Sequence, residues 1–265
     1  MANSILFNSA LVSYTKIGEG VPLVMLHGFC EDRSIWDDML EPLSKRNAVI
    51  AIDLPGFGES DLAPRPSIAY YADAVLAVLD KENIDQAIIC GHSLGGYVTL
   101  DLLKRASDRL IGIGLINSHP YIDSDFKKQT RRRSIGFITT NGSALYVKQM
   151  ITALFNNAFG KAHRVIVERL VYRASNYKPQ GIIDAQTAMI EREGHTDTLL
   201  QCTIPVLFII GMKDELILPK DNLYQTTLPK VSQVTIFKKV AHMAMFEAPR
   251  DTIKAINKFC DFVKR

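Results

Sequence analysis

Cys90-Gly-His-Ser-Leu-Gly-Gly-Tyr97 (CGHSLGGY) crowds three glycines around one serine. Glycine adds no side-chain packing and costs backbone entropy, so the interior of a helix or strand would avoid it. The stretch makes sense where the chain turns sharply and another part of the molecule must come close. Ala87–Ser93 begins as a short apolar run of strand type, and Leu94–Ala106 has helical spacing. The order is strand, tight turn, helix, with Gly91-x-Ser93-x-Gly95 at the turn. In that setting a side chain at the glycine positions would clash. Ser93 is expected at a strained backbone angle that projects its hydroxyl into a cleft. The Leu94 amide, at a helix N-terminus, then points to where negative charge develops.

Outward from this turn the same alternation continues. Pro22–Gly28, Ala48–Ser60, Leu110–Ser118, Pro205–Gly211 and Ser232–Phe237 each open on or contain an apolar run expected to be a strand. These runs read as apolar on both faces, as in a parallel sheet sandwiched by helices. The first twenty residues alternate like a pair of strands. Ser34-Ile-Trp-Asp37 has capping-box spacing and predicts a helix to about Lys45. Ala69–Glu82 predicts a second helix. Pro249 starts a last one, with Ile253, Ile256, Phe259, Cys260 and Val263 on one face. The whole predicts a doubly wound, mostly parallel α/β sheet.

One segment breaks the alternation. Residues 119–196 show no strand pattern but several helical ones, including a helix from Pro179 that carries Ile182, Ile183, Gln186, Met189 and Ile190. The expected organisation is a core of residues 1–118 and 197–265. A helical insertion, 119–196, follows the sixth strand and lies over the carboxyl ends, where open α/β sheets bind ligands.

A serine hydroxyl needs a base, and the base needs a carboxylate to orient it. Asp214 follows the strand ending at Gly211, and His242 follows the last strand and precedes the last helix. Both are expected on the rim that carries Ser93, in the chain order Ser, Asp, His. His242 would take the Ser93 proton while Asp214 fixes its tautomer. Asp123, after the preceding strand, is the alternative acid. Of the other histidines, His92 is expected to point away from the serine across the turn. His27, at a strand end, is expected to hold loops together by hydrogen bonds. His119 fits a pocket wall and a structural group equally, and His163 and His195 are expected to be solvated.

Composition bounds the function. The chain has 265 residues, 47% of them apolar, and a net charge of +3, too small to argue for nucleic acid. The four cysteines, Cys30, Cys90, Cys202 and Cys260, are far apart. They predict reduced thiols rather than a disulfide framework or a zinc site. No signal peptide and no membrane-length apolar run is read, so a soluble cytoplasmic protein without metal or other cofactor is expected.

With these residues in place, the chain resembles the α/β-hydrolase family over nearly its whole length. Leu23–Phe29 looks like its His-Gly motif, and Asp53–Ser60 like its next characteristic turn. GHSLGG, GMKDELI and AHMAMFEAP follow in the family's order. The resemblance implies a helical cap at the insertion and a second oxyanion amide from Phe29. It also matches Trp36 to an aromatic of the first helix. His27, Trp36 and His119 are the candidate side chains around the substrate. Dehalogenases and epoxide hydrolases of this fold carry Asp at the nucleophile position. Ser93 therefore implies acyl transfer, that is, carboxylic-ester hydrolysis of a small to medium acyl ester. C–C bond hydrolysis, lactone opening or perhydrolysis on the same triad, and a hydrolase-like ligand receptor, are the rival readings.

The insertion is also basic. Between His119 and Asp184 there are eleven Lys and Arg against four acids. This net excess fits either a solvated outer face or a lid that attracts an acidic partner. Esterases that resemble this chain include pimeloyl-acyl-carrier-protein methyl ester esterases. An acyl group on an acidic carrier protein is thus an expected partner, beside a small-molecule ester. No nucleic-acid or membrane partner is expected.

Overall fold

The computed structural model describes residues 2–264. The chain runs β1 (Ala2–Phe7), β2 (Ala10–Ile17), β3 (Val21–Leu26), α1 (Asp37–Ser44), β4 (Asn47–Ile52), α2 (Ile68–Lys81), β5 (Ala87–His92), α3 (Leu94–Arg105) and β6 (Leu110–Ile116). Helices α4 (Asp125–Asn141), α5 (Ala144–Ala153), α6 (Asn157–Ala162), α7 (Arg164–Ser175), α8 (Pro179–Glu191) and α9 (Thr196–Leu200) follow. Then come β7 (Val206–Gly211), α10 (Pro219–Tyr224), β8 (Ser232–Phe237), α11 (Ala244–Glu247) and α12 (Pro249–Val263).

The eight strands form one sheet in the order β1-β2-β4-β3-β5-β6-β7-β8. β1 and β2 pair antiparallel, β2 joins β4 antiparallel, and every pairing from β4 to β8 is parallel. β4, β5 and β7 are buried along their whole length, which is why they read as unbroken apolar runs. β8 differs from that expectation. It is an edge strand whose burial alternates, with Val234 and Ile236 more than 40% exposed on one face of the sheet. The predicted capping box also shifts. Asp32, not Ser34, caps the entry by accepting from the Ser34 amide at 2.9 Å, and Arg33–Trp36 form a 3-10 turn before α1.

The chain leaves β3 toward β4 on one side, and β5 then pairs with β3 on the other. The loops after β3 and β5 therefore diverge, opening a crevice at the carboxyl ends. Between β6 and β7 there are helices only, α4 packing on α8 and α5 on α7. Arg173 and Tyr177 anchor this helical segment through the Asp32 carboxylate, with contacts of 2.7–2.9 Å. A Cβ on Gly181 would overlap the Gly56 carbonyl, so α8 starts in backbone contact with the loop after β4. Among the described residues, no helix is long and apolar enough to cross a membrane.

The three glycines of the opening motif all keep negative φ, so conformational freedom is not their use. They make room. A Cβ on Gly91 would overlap the Gly95 backbone, one on Gly96 would overlap Ser118, and one on Gly95 would sit 2.6 Å from the Leu26 carbonyl oxygen. Helix α3 thus starts pressed against the ends of β3 and β5. Gly95→Ala should cost about 3 kcal/mol of unfolding free energy, read from urea denaturation, because backbone must move to admit the methyl.

Candidate active site

Four strand ends deliver the candidate residues to one rim. Ser93 follows β5, Asn117 follows β6, Asp214 follows β7 and His242 follows β8. Ser93 adopts φ 48° and ψ −111°, a left-handed conformation that a side-chain-bearing residue holds only under tertiary constraint. Its amide donates to the Ile116 carbonyl at 3.0 Å, and its carbonyl accepts from Gly96 and from Ser118 Oγ. The side chain, half-buried, lines a cavity of about 150 Å³.

His242 Nδ1 lies 2.7 Å from Asp214 Oδ2. A carboxylate oxygen accepts, so Nδ1 carries the proton and Nε2 is left as the basic atom. Asp214 Oδ1 accepts the Leu216 and Ile217 amides at 2.9 and 3.0 Å, and Oδ2 accepts Asn117 Nδ2 at 2.8 Å. Burial works to raise the Asp214 carboxyl, but His242 and these donors hold it down to about 2. For His242, burial works downward and is outweighed by the charges of Asp214 and Glu31. The imidazole is raised above its ordinary value. Among the described residues, no hydrogen bond joins Ser93 Oγ to His242 Nε2. Such contacts are commonly loose before substrate binds.

The loop after β3 brings Phe29 to the cavity wall beside Ser93. The amides of Phe29 and Leu94 donate to no turn, loop or side chain among the described residues. Leu94 adjoins the half-buried Ser93 in sequence, and Phe29 shares its cavity.

Three expectations about substrate contacts are corrected. His27 is fully buried, with Nδ1 against the Gly28 carbonyl and Nε2 accepting the Leu54 amide. It holds two loops together and does not line the cavity. Trp36 is also fully buried and belongs to the core. His119 lies behind the wall, between Tyr97 and the Tyr121 amide, and burial followed by the nearby Lys127 and Arg192 pushes it down to about 3. His195, expected in solvent, is buried near Thr198, whereas His163 is exposed. Asp123 is committed elsewhere: it pairs with Arg131 and Arg192, and Asp214 holds His242 instead. All four cysteines are free and buried. No group of three or more His, Cys, Asp or Glu among the described residues could hold a metal ion.

Sequence reasoning passed over Glu31 and Asn117. Glu31 Oε2 accepts the Gly28 amide at 2.6 Å and faces His92 Nδ1 at 2.9 Å. His92 Nε2 in turn lies 3.0 Å from the His242 carbonyl oxygen, which can only accept. His92 must therefore donate from Nε2, and one further proton lies between Nδ1 and the carboxylate. Burial works to raise Glu31, and the His92 charge overcomes it, so its pKa is lowered. This buried pair fixes the backbone under both His242 and the Gly28–Phe29 turn. No local pattern marks it, because its members lie 61 residues apart.

A family model described as the alpha/beta hydrolase fold matches residues 21–249. A dihydrolipoyllysine-residue acetyltransferase component of the acetoin cleaving system from Cupriavidus necator is 27% identical over 91% of this chain. The counterpart from Pseudomonas putida is 41% identical over 37% of it. The chain spans 64% and 27% of those two proteins' lengths. A pimeloyl-[acyl-carrier protein] methyl ester esterase of Neisseria meningitidis is 29% identical, covering 91% of this chain and 76% of the relative. Among solved structures, a malate-bound thermophilic esterase from Thermogutta terrifontis superposes with a TM-score of 0.94. It is 26% identical and covers 99% of both chains.

Replacing Glu31 by Ala should lower unfolding free energy by about 3 kcal/mol, since it strands His92 and the Gly28 amide in the interior. Denaturant unfolding of the two proteins side by side checks this.

Proposed function

Because the chain belongs to the alpha/beta hydrolase fold family, we propose that it is a serine hydrolase of carboxylic esters working through Ser93, His242 and Asp214. The observation that carries this reading is the pairing of His242 with Asp214 on the rim where Ser93 is held out in a left-handed turn. The likeness to named esterases over nearly the full chain supports it.

Ser93 Oγ attacks the ester carbonyl carbon and passes its proton to His242 Nε2. The carbonyl oxygen becomes an oxyanion and accepts from the Phe29 and Leu94 amides. As the intermediate collapses, the imidazolium gives its proton to the leaving alkoxide, and the acyl group stays on Ser93. A water then loses a proton to His242 and attacks the acyl carbon. Ser93 departs, regains the proton, and the carboxylic acid is released. Asp214 remains ionised throughout and steadies the imidazolium. The four free thiols suit a reducing compartment, the cytoplasm.

The partner reading concerns the outer surface. Arg132, Arg133, Lys148, Lys161, Arg164 and Arg169 are exposed on the helical segment between β6 and β7. An acyl group carried by an acidic protein would be drawn to such a face. For carrier-borne esters kcat/KM should fall several-fold between low and high salt, while that for a small neutral ester should hardly change. Equal salt dependence would remove the carrier from the proposal.

The enzyme reading is tested with a p-nitrophenyl ester series from acetyl to dodecanoyl. Wild type should turn over the short members, and Ser93→Ala should lose activity by a factor on the order of 10³ or more. Hydrolysis that survives the substitution would show that Ser93 is not the nucleophile. The pH profile follows from the raised His242. The protonated imidazole cannot act as base, so kcat/KM should fall as pH drops through a value above that of an ordinary imidazole. An acid limb below that value would contradict the assignment.

A further inference from the structure

The cavity over Ser93 is roofed by α4. Lys127, Thr130, Arg131 and Ser134 all line it, at spacings of i, i+3, i+4 and i+7 along one face of that helix. A helix lying on a protein interior ordinarily puts apolar side chains at those positions. Here the stripe along the cavity is polar, half-buried at Lys127, Arg131 and Ser134 and exposed at Thr130, and the cavity wall contains no carboxylate.

The charge behind that wall does not balance it. Asp123 is buried and is the acid these cations face. Its Oδ2 accepts Arg131 Nε at 2.5 Å, and its Oδ1 accepts Arg192 Nη2 at 2.9 Å. Lys127 Nζ stands 3.9 Å from Oδ1 and makes no hydrogen bond among the described residues. One carboxylate therefore serves three cations. Arg131 spends Nη1 on Gln186 Oε1 at 2.9 Å, and Nη2 has no hydrogen-bond partner among the described residues. Burial, then Lys127 and Arg192, depress His119, and the Arg192 and Arg131 charges overcome burial to hold Asp123 at about 2.

Guanidinium and ammonium groups with unused donors at a half-buried wall are costly unless an anion meets them, and a carboxylate matches both. We propose that Lys127 and Arg131 form an anion site for a free carboxylate on the substrate, so that the preferred esters are short half-esters bearing that carboxylate. The inference rests on the ester-hydrolase reading and deepens it. At about 150 Å³ the cavity is below the usual range for drug-sized ligands, which fits a succinyl or glutaryl group rather than a long chain.

The test compares methyl hydrogen glutarate with methyl pentanoate by pH-stat, using wild type, Lys127→Met, Arg131→Lys and, as a control at an exposed lysine ahead of β8, Lys230→Met. Wild type should favour the half-ester in kcat/KM by about tenfold or more, the size expected of one or two charge-assisted hydrogen bonds. That ratio should collapse in Lys127→Met, shrink in Arg131→Lys and persist in Lys230→Met. A parallel pair, methyl acetate and O-acetylglycolate, moves the carboxylate to the alcohol side and tells which side the site holds. Turnover of neutral esters without any preference for either carboxylated ester would overturn the anion site and leave the hydrolase reading intact. If no ester is turned over, calorimetric binding of glutarate half-ester and pentanoate ester to Ser93→Ala decides. Tighter binding of the half-ester, lost with Lys127→Met, upholds the anion site, and equal or absent binding overturns it.

Discussion

Everything at the candidate site depends on one strained residue. Ser93 sits at φ 48°, ψ −111°, between a strand that ends at His92 and a helix that begins at Leu94. Such a conformation costs on the order of 1–3 kcal/mol and survives only where its surroundings over-determine it. Here the Ile116 carbonyl, the Ser118 hydroxyl and the Gly96 amide hold the Ser93 backbone from three directions. The glycines around it let α3 close on the ends of β3 and β5.

The strain is not confined to the serine. Cys30 at φ 58° and Asn117 at φ 44° are also left-handed, and they follow β3 and β6, the strands on either side of β5. Three neighbouring loops thus turn sharply at the same rim. What stabilises them is a buried polar lattice. Asn117 ties Asp214 to the Ala241 carbonyl, and Glu31 with His92 ties the Gly28 turn to the His242 carbonyl. Asn117 donates both bonds from Nδ2, and hydrogen bonds of this kind in the interior narrow the geometry because breaking them strands a buried donor or acceptor. His242 is held by its side chain and by its own backbone at once.

The helices between β6 and β7 add the far wall of the cavity over Ser93. They are docked by Asp32 and by the Gly56–Gly181 backbone contact, and α4 then presents Lys127, Thr130, Arg131 and Ser134 to the serine. Arg192 belongs to the same arrangement. It reaches from the end of α8 to Asp123 and lies 4.1 Å over the Tyr97 ring. The chemistry of the core and the charge of the roof come from separate parts of the chain, so either can change without the other.

Much of this was written in local sequence. Short apolar runs set out the strands, and the strand-turn-helix pattern around Gly91–Gly95 marked the turn where Ser93 stands. Asp214 and His242 could be chosen because strand ends in a parallel sheet share one rim. What local pattern could not hold was pairwise and distant. Glu31 meets His92 across 61 residues, and Asn117 meets Asp214 across 97. Nothing in a run of neighbours encodes such a partnership. The loop-holding reading of His27 matches its hydrogen bonds, whereas His27, Trp36 and His119 as side chains around a substrate do not line the cavity, since strand-end position and family likeness do not say which side chain faces it. β8 read as buried because composition cannot show which strand ends the sheet. Sequence periodicity fixes which face of an element is apolar, and therefore the layers. Which buried proton bridges which pair, and which cation is left over to meet a ligand, is decided only when distant segments are packed together.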